Sequence, residues 1–344
     1  LIIYVAALLM LSGQLITGCS STSALKEDEQ LFTGLVPIEY KNYEKGAYAD
    51  STITEMEYAL ASAPNGALFG SSYYRTPFPV RLWIWNAFSQ SDGALAKWIT
   101  KVFGSKPKLM VNPQLRAQVA EHQLDKYGYF NRKVTYDVLT QSNPKKAKVA
   151  YQVDFGHLWT LDSMAYLNFP AKSKQFIDAS MNKALIRKGS PFNVANMESE
   201  RQRITRLFRN RGYYFYQNSY ASYLADTVNV PGKVQLRLMM ADSVDDRATR
   251  QWYIGKIHVN FRKQYMEELK DSFVRSYLSF HYNGRKMPIR PGIVLQSLRL
   301  RPRELYRVRT EERAKTGLQE MGLFSYSSIQ FSPRSVQTLD SLGH

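Results

Sequence analysis

The chain has 344 residues, of which 44% are apolar, 22% charged and 13% aromatic; it carries a formal charge of +17 and one cysteine. The apolar fraction excludes wholesale disorder, and a single cysteine excludes an intrachain disulfide framework or a thiolate metal cluster. At roughly 100–150 residues per domain, the length allows two or three domains. The histidines lie far apart in the sequence, so we predict no metal site and no cofactor.

The amino terminus combines an apolar run with the cysteine. Residues 1–11 are apolar, and Leu15-Ile16-Thr17-Gly18-Cys19 follows a short polar break. An apolar run of this length before small residues is typical of an export signal, predicted at 1–18. The last five residues resemble a bacterial lipobox, which would make Cys19 the first mature residue and a lipidation site carrying palmitate-type chains. Residues 19–30 are then predicted to be a solvated tether; the alternatives are an uncleaved anchor or an incidental free cysteine.

One pattern of helix, glycine and aromatic residues occurs three times. Helical apolar spacing ends at Gly128-Tyr129-Phe130, at Gly212-Tyr213-Tyr214-Phe215 and at Gly322-Leu323-Phe324. Glycine just past a helix accepts the left-handed C-cap conformation, and the aromatic residue after it can fold back on the last turn. The repetition indicates a structural unit that is built three times.

Alternating apolar residues after the first two glycines predict two β-hairpins. The predicted hairpin strands are 133–140 and 149–155 after the first glycine, and 221–228 and 234–240 after the second. Trp159 and Trp252 begin similar apolar patterns that predict the opening strand of a unit. The sequence thus predicts a unit of strand, helix, helix, strand and strand, with a further strand at 326–331 in the third copy.

Two segments interrupt this pattern. Residues 68–113 form an aromatic insertion in the first unit, with Trp83, Trp85 and Trp98, for which a core role is favoured over a docking patch. Residues 262–289 form a polar insertion in the third unit.

Motifs in all three parts resemble POTRA domains of the BamA/TamA (Omp85) superfamily of outer-membrane assembly proteins, and the lipobox-like start resembles the TamL-like lipoproteins of the Bacteroidota. The motifs are Arg81-Leu-Trp-Ile-Trp-Asn-Ala-Phe88 with Gly104-x-x-Pro107; Gly189-Ser-Pro-Phe192, Glu200-Arg-Gln-Arg-Ile204, Arg211-Gly-Tyr-Tyr-Phe215 and Ala225-Asp-Thr227; and Ile289-Arg-Pro291, Leu298-x-Leu300, Glu304-Leu-Tyr306, Thr310 and Gly322-x-Phe324. The resemblance covers residues 15–332.

The resemblance implies an α+β fold of three tandem POTRA-like β-α-α-β-β units, each a three-stranded mixed sheet with two helices on one face, the last unit incomplete. The units are predicted at 31–156, 157–243 and 250–344. Such a chain would be a periplasmic scaffold without enzymatic activity, lipid-anchored at the outer membrane. Its expected partners are unfolded outer-membrane protein clients and a periplasmic or inner-membrane-anchored protein.

The resemblance implies that the first hairpin strand of the first two units, 133–140 and 221–228, is a sheet edge, where an extended segment can add a strand by backbone hydrogen bonding. The candidate strand-addition residues are Val134, Tyr136, Val138, Tyr223, Leu224 and Thr227. Besides Cys19, they are the site residues that the sequence predicts.

Two departures from the family pattern stand out. Arg303 occupies a turn where the family usually has glycine, which predicts a distorted turn. The transmembrane barrel that such proteins carry next is absent from these residues, and Leu1 stands where an initiator methionine is expected. We therefore expect the chain to be a fragment of a longer protein.

Other functions are less well supported by the sequence. No catalytic or phosphate-binding motif is present, which argues against a lipoprotein enzyme. The positive charge is spread over all three units; a solvated basic face is favoured, followed by attraction to anionic lipid, with nucleic-acid binding last. The main alternative is a stand-alone lipid-anchored module that bridges partners in an envelope-spanning complex.

Overall fold

The computed structural model describes residues 21–61, 73–75, 79–110, 112–264 and 266–333. The predicted export signal at 1–18 and the candidate lipidation site Cys19 lie outside these residues. Contacts divide the chain into two compact units, one of Leu1–Ser163, Lys188–Ala195 and Asp226–Gln235, the other of Met164–Arg187, Asn196–Ala225 and Leu236–His344. Helices and separate sheets with parallel and antiparallel pairs confirm the predicted α+β class.

The first sheet and its helices occupy the residues up to 154. The elements are β1 (Leu31–Leu35), β2 (Glu39–Lys41), α1 (Ala47–Leu60), α2 (Val80–Phe88), α3 (Ala94–Phe103), α4 (Pro113–Lys126), β3 (Lys133–Thr140) and β4 (Lys146–Asp154). Central β4 is parallel to β1 and β2 and antiparallel to β3. Its alternate residues Val149, Tyr151 and Val153 are buried against α1 and α4 in one apolar core.

This sheet has four strands where three were predicted, because the opening strand is broken in two. Pro37 lies between β1 and β2 and has no N–H for a ladder hydrogen bond. The register against β4 also shifts around Gly34, whose φ is 125°. A Cβ at Gly34 would lie 2.7 Å from the carbonyl oxygen of Tyr74, so the bulge and the close approach both require glycine.

The second sheet follows the predicted order of elements. They are β5 (Thr160–Leu167), α5 (Ala171–Asp178), α6 (Val194–Arg209), β6 (Ala221–Asp226) and β7 (Lys233–Met240). The strand order is β5-β7-β6, so the last strand is central and the first hairpin strand is at an edge. Ile177, Ile204 and Phe208 from the helices meet Leu238 in an apolar core.

The third sheet differs from the predicted element order. Its elements are α7 (Asp246–Thr249), β8 (Ile257–Asn260), β9 (Asp271–Arg275), β10 (Leu278–Tyr282), α8 (Pro291–Leu298) and α9 (Val308–Glu320), with strand order β8-β10-β9. The hairpin β9–β10 lies within the polar insertion and precedes the helices. Leu278 and Phe280 of β10 supply the buried strand residues of the third core.

The strand predicted at 326–331 is wrong, because this segment has no strand pairing. Ile329 and Phe331 instead pack their side chains against the third core, and the Phe331 ring lies 5.6 Å from the ring of Tyr306. An alternating pattern identifies residues that share a face. Here these side chains pack against the core, but the backbone forms no hydrogen-bonded strand pair.

Part of the predicted solvated tether at 19–30 packs on the protein, whereas Ser23 and residues 26–28 are exposed. Ser21 and Leu25 are buried, and Leu25 forms a small apolar cluster with Leu31 and Leu82. Burying a leucine contributes about 2 kcal/mol, enough to hold a short polar segment against the protein.

Among the described residues of the aromatic insertion, Leu82 on α2 is buried and Trp83 and Trp85 are half-buried, while Tyr73 and Met110 pack against the first core, which fits the predicted core role. Trp98 on α3 is exposed, so for this residue the core prediction is wrong. No helix among the described residues is both long enough and apolar enough to cross a bilayer.

Candidate functional site

The edge strand β3 forms a full ladder with β4 on one side. Their register runs from Lys133 opposite Asp154 to Thr140 opposite Ala147. Among the described residues, β3 pairs with no other strand. A long strand with one free side is a template for another chain, so β3 is the first candidate site.

Two hydrogen bonds fix which main-chain groups of β3 point outward. The N–H of Gln141, directly after β3, donates to the Lys146 carbonyl at 2.9 Å, while the N–H of Val134 donates to Glu121 Oε1 at 2.9 Å. In an antiparallel ladder the backbone groups of successive residues alternate between the two sides. The even-numbered residues Tyr136, Val138 and Thr140 therefore direct their N–H and C=O groups away from β4.

The side chains along this edge leave room for a further strand. Tyr136 is 36% exposed and Val138 is 41% exposed, although both lie on the same face as buried Val134. Glu121 on α4 binds the first outward N–H, so the open part of the edge begins at Tyr136. Of the three residues predicted on β3, Tyr136 and Val138 present open backbone groups, whereas the N–H of Val134 is already bonded to Glu121.

The edge strand β6 has the same arrangement. The carbonyl of Tyr220, directly before β6, accepts from the N–H of Ala241, just past β7, at 2.9 Å, and the carbonyl of Ala221 lies 3.4 Å from Arg201 Nη1 on α6. By the same alternation, Ala221, Tyr223 and Ala225 point their backbone groups outward. As Glu121 does for β3, Arg201 binds the first outward group.

Two of the residues predicted on this second edge, Leu224 and Thr227, do not direct backbone groups of β6 outward. The main-chain groups of Leu224 face β7, so Leu224 offers a strand partner no backbone hydrogen bond, although its side chain is exposed. Thr227 lies one residue past the end of β6. Tyr223, the third predicted residue, directs its backbone groups outward. Its hydroxyl donates to the Met197 carbonyl at 2.9 Å, and burial raises the pKa of this hydroxyl.

Sequence reasoning missed Glu121, Arg201 and Ala225. Glu121 and Arg201 are polar residues on amphipathic helices, a pattern that predicts a solvated face. Ala225 lies two residues after Tyr223, so its backbone groups face the same side of the strand. This spacing is the signal that could have identified Ala225.

A second repeated feature lies where each predicted unit meets the next opening strand. The carbonyl of Gly128 accepts from the N–H of Trp159 at 2.9 Å, and the carbonyl of Trp159 accepts from the N–H of Phe192 at 2.9 Å. The Phe130 ring packs against both Trp159 and Phe192, with ring centres 5.5 and 5.1 Å apart. Burial raises the pKa of Tyr48 to about 12, so its hydroxyl stays protonated beside the Phe192 carbonyl, 3.1 Å away.

The same pattern recurs at the second glycine. The carbonyl of Gly212 accepts from the N–H of Trp252 at 2.7 Å, and the carbonyl of Trp252 accepts from the N–H of Tyr306 at 2.9 Å. The Phe215 and Trp252 rings are 5.0 Å apart. Arg206 on α6 forms an ion pair of 2.6 Å with Glu312 on α9.

The third sheet brings together two histidines that are distant in the sequence. His258 Nδ1 and His281 Nε2 lie 3.1 Å apart on neighbouring strands. Sequence reasoning found no partner for His258, because strand pairing and not sequence proximity supplies it. Among the described residues, no group of three histidine, cysteine or acidic side chains is placed to hold a metal ion.

The fold resembles solved POTRA structures. BamA POTRA3-5 from Haemophilus influenzae is 12% identical with a TM-score of 0.39, covering 91% of this chain and 94% of that one. Omp85 POTRA1-3 from Anabaena is 13% identical with a TM-score of 0.29, covering 90% and 91%. The amino-terminal domain of Omp85 from Thermosynechococcus elongatus is 13% identical with a TM-score of 0.21, covering 71% and 87%.

No protein-family model and no curated protein matches the sequence. All three TM-scores are below 0.5.

Proposed function

We propose that the chain is the POTRA region of an outer-membrane protein assembly factor, with units at 31–156, 157–243 and 250–344. It acts as a periplasmic scaffold, held at the outer membrane by lipid on Cys19, and performs no catalysis. The strand orders β1-β4-β2 with β3 on β4, and β5-β7-β6, support this proposal, because each leaves the first hairpin strand at an edge.

The observation that carries the mechanism is the outward direction of the backbone at Tyr136, Val138 and Thr140. An extended segment laid beside β3 can exchange backbone hydrogen bonds with these residues whatever its side chains are. Unfolded outer-membrane proteins, whose strands alternate in polarity, are partners of this kind. Backbone recognition suits a scaffold that receives many different clients.

The test replaces an outward N–H by proline. Val138→Pro removes one donor from the open side while leaving the ladder to β4 intact, and Val138→Thr retains the donor as a matched control. We expect photo-crosslinking of an unfolded outer-membrane protein to β3 to fall with proline and to persist with threonine. Ala225→Pro and Ala225→Ser form the equivalent pair on β6.

Circular dichroism and thermal unfolding establish whether each variant is folded. If both proline variants fold and crosslink as the wild type does, strand addition is the wrong mechanism. A periplasmic partner, rather than a client, is indicated if purified client does not crosslink to the wild type while a periplasmic protein crosslinks at Val138 in cells.

A further inference from the structure

Helix α3 packs on the protein through Ala96, Ile99 and Thr100 and leaves most of its apolar side uncovered. Thr100 is buried and Ala96 and Ile99 are half-buried, whereas Leu95 is 70% exposed and Trp98 is 55% exposed. Val102 and Phe103 continue this exposed apolar face at 45% and 50%. An amphipathic surface helix ordinarily turns its apolar side to the core, whereas most of the apolar side of α3 is exposed.

Contacts at the end of α3 fix this orientation. The N–H of Ser105 donates to the carbonyl of Arg81 on α2 at 3.0 Å. Gly104 lies so close to the helix that a Cβ there would be 2.5 Å from the carbonyl oxygen of Thr100. The Trp98 and Phe103 rings pack edge to face at 5.9 Å, which makes the apolar side one continuous surface.

The charges around this apolar face are mainly positive. Residues 94–108 include Lys97, Lys101, Lys106 and Lys108 and no acidic residue, and Asp92 just before them pairs with Lys97 at 3.3 Å. Near a surface of anionic lipid, each such basic residue contributes an attraction. A helix with leucine, tryptophan and phenylalanine on one side and lysine on the other is the pattern of a segment that lies in a membrane interface.

The start of the described chain lies beside the same helix pair. The N–H of Ala24 donates to Asn86 Oδ1 on α2 at 3.2 Å, and Leu25 is buried against Leu82 of that helix. Cys19 precedes Ala24 by five positions, and the apolar residues 1–11 end thirteen positions before it. Attachment of the amino terminus to a bilayer would therefore keep α2 and α3 near its surface.

We propose that the apolar face of α3 lies in the surface of an anionic lipid bilayer, with its lysines at the phosphate headgroups. An anionic bilayer matches both the exposed apolar side chains and the surrounding net positive charge. The inference rests on the proposed membrane anchoring near Cys19, to which it adds a second, reversible contact. A protein held by two such membrane contacts is attached more stably than a protein held by one.

The experiment places an environment-sensitive NBD fluorophore on α3 of the full chain. Cys19→Ser removes the natural thiol, and Val102→Cys or Lys97→Cys then carries the label on the apolar side or on the lysine side. Vesicles are made of phosphatidylethanolamine alone or of equal parts phosphatidylethanolamine and phosphatidylglycerol. Co-sedimentation measures whether residues 1–18 hold the chain on each vesicle.

We expect the label at 102 to gain intensity and shift to the blue on vesicles, more strongly with phosphatidylglycerol, while the label at 97 changes little. Trp98→Glu in the Val102→Cys chain should abolish the shift. An unchanged spectrum at 102 on a chain that co-sediments overturns the inference. A shift already present without vesicles also overturns it: if it depends on protein concentration a second copy covers the face, and otherwise another segment of this chain does.

Crosslinking of client to β3 in the same labelled chains reports the proposed function separately. Loss of the lipid response with crosslinking intact contradicts the α3 inference alone. Loss of crosslinking with the lipid response intact contradicts strand addition alone.

Discussion

The backbone N–H of Trp159 donates a hydrogen bond of 2.9 Å to the carbonyl of Gly128. Trp252 and Gly212 repeat this contact at 2.7 Å. In both copies the glycine ends a helix in the left-handed region, with φ of 84° and 95°. The repeated glycine therefore has two roles, because it caps its own helix and also accepts the start of the next strand.

The first prediction separates these two roles. A Cβ at Gly128 would lie 2.8 Å from the carbonyl oxygen of Phe192, whereas Gly322 has φ of 62° and nothing within 4 Å of its Cβ position. A side chain in the left-handed region costs about 1–2 kcal/mol, and overpacking adds about as much again. We expect Gly128→Ala to lower the free energy of unfolding by about 3 kcal/mol and Gly322→Ala by about half of that.

Urea unfolding followed by circular dichroism measures both variants. Equal losses for the two would mean that the close contact at Gly128 contributes nothing. Gly212→Ala offers an independent check, since its Cβ would lie 2.6 Å from the flexible Leu305 side chain and should cost less than Gly128→Ala.

A buried carboxylate connects the elements around the second core. Glu200 is fully buried on α6 and accepts from the Tyr166 hydroxyl at 2.6 Å, from Arg203 Nη2 at 2.6 Å and from the N–H of Leu185 at 3.0 Å. Burial alone would raise the pKa of Glu200, but these hydrogen bonds outweigh it and hold the pKa below its ordinary value of 4.5. Glu200 of the Glu200–Ile204 motif thus has a structural role.

The second prediction concerns acid. Since the folded pKa of Glu200 is lowered, its ionised form stabilises the fold above the ordinary value of 4.5, and this contribution disappears as the pH falls through the lower folded pKa. Glu200→Gln leaves Arg203 without its partner, which should cost about 3 kcal/mol at pH 7. The difference in the free energy of unfolding between the wild type and Glu200→Gln should therefore become smaller at acid pH.

Urea midpoints at neutral and acid pH provide the measurement. Glu198→Gln is the matched control on the same helix, because Glu198 is partly exposed and its loss should cost well under half as much. If the difference in urea midpoint between the wild type and Glu200→Gln is the same at neutral and acid pH, Glu200 is not ionised in the folded protein.

The sequence predicts elements well where apolar and polar residues alternate along a strand. The predicted bounds of β3 agree with the structure because Val134, Tyr136 and Val138 alternate with polar residues, although only Val134 is buried. The predicted strand from Ala221 runs two residues too far: Asp226 Oδ1 accepts from the N–H groups of Val228 and Asn229, and this turn ends β6. Side-chain capping of this kind leaves no trace in apolar periodicity.

Other features depend on neighbours that a sequence pattern does not name. Strand β9 is exposed along its whole length, so no alternation predicts it. The amphipathic spacing of α3 shows that one side is apolar but not that Thr100 would be the buried residue. The open edge at Tyr136 and Val138 was predictable in position, whereas the contact of Glu121 with Val134 required the packed helix.

The third prediction uses the departure at Arg303. This residue adopts φ of 66°, and its N–H donates to the Ile254 carbonyl at 2.7 Å. The turn thus keeps the left-handed conformation that glycine favours, and an arginine there is strained. We expect Arg303→Gly to raise the free energy of unfolding by about 1 kcal/mol, because relief of strain exceeds the added chain entropy.

Arg301→Gly is the control in the same loop, where φ is not positive and glycine should destabilise. Thermal unfolding of both variants tests the sign. A lower melting temperature for Arg303→Gly than for the wild type would show that the arginine side chain contributes more than its backbone costs.

The last prediction extends the open edge of β3 by one residue. Glu121 Oε1 occupies the outward N–H of Val134 at 2.9 Å, so a client strand can begin only at Tyr136. Glu121→Ala frees this donor, and one additional backbone hydrogen bond contributes about 1 kcal/mol, or about five-fold in affinity. Glu121→Gln retains an acceptor oxygen and should bind as the wild type does. Titration of a fluorescent peptide of alternating polarity measures all three chains, and equal affinities would show that bound segments do not reach Val134.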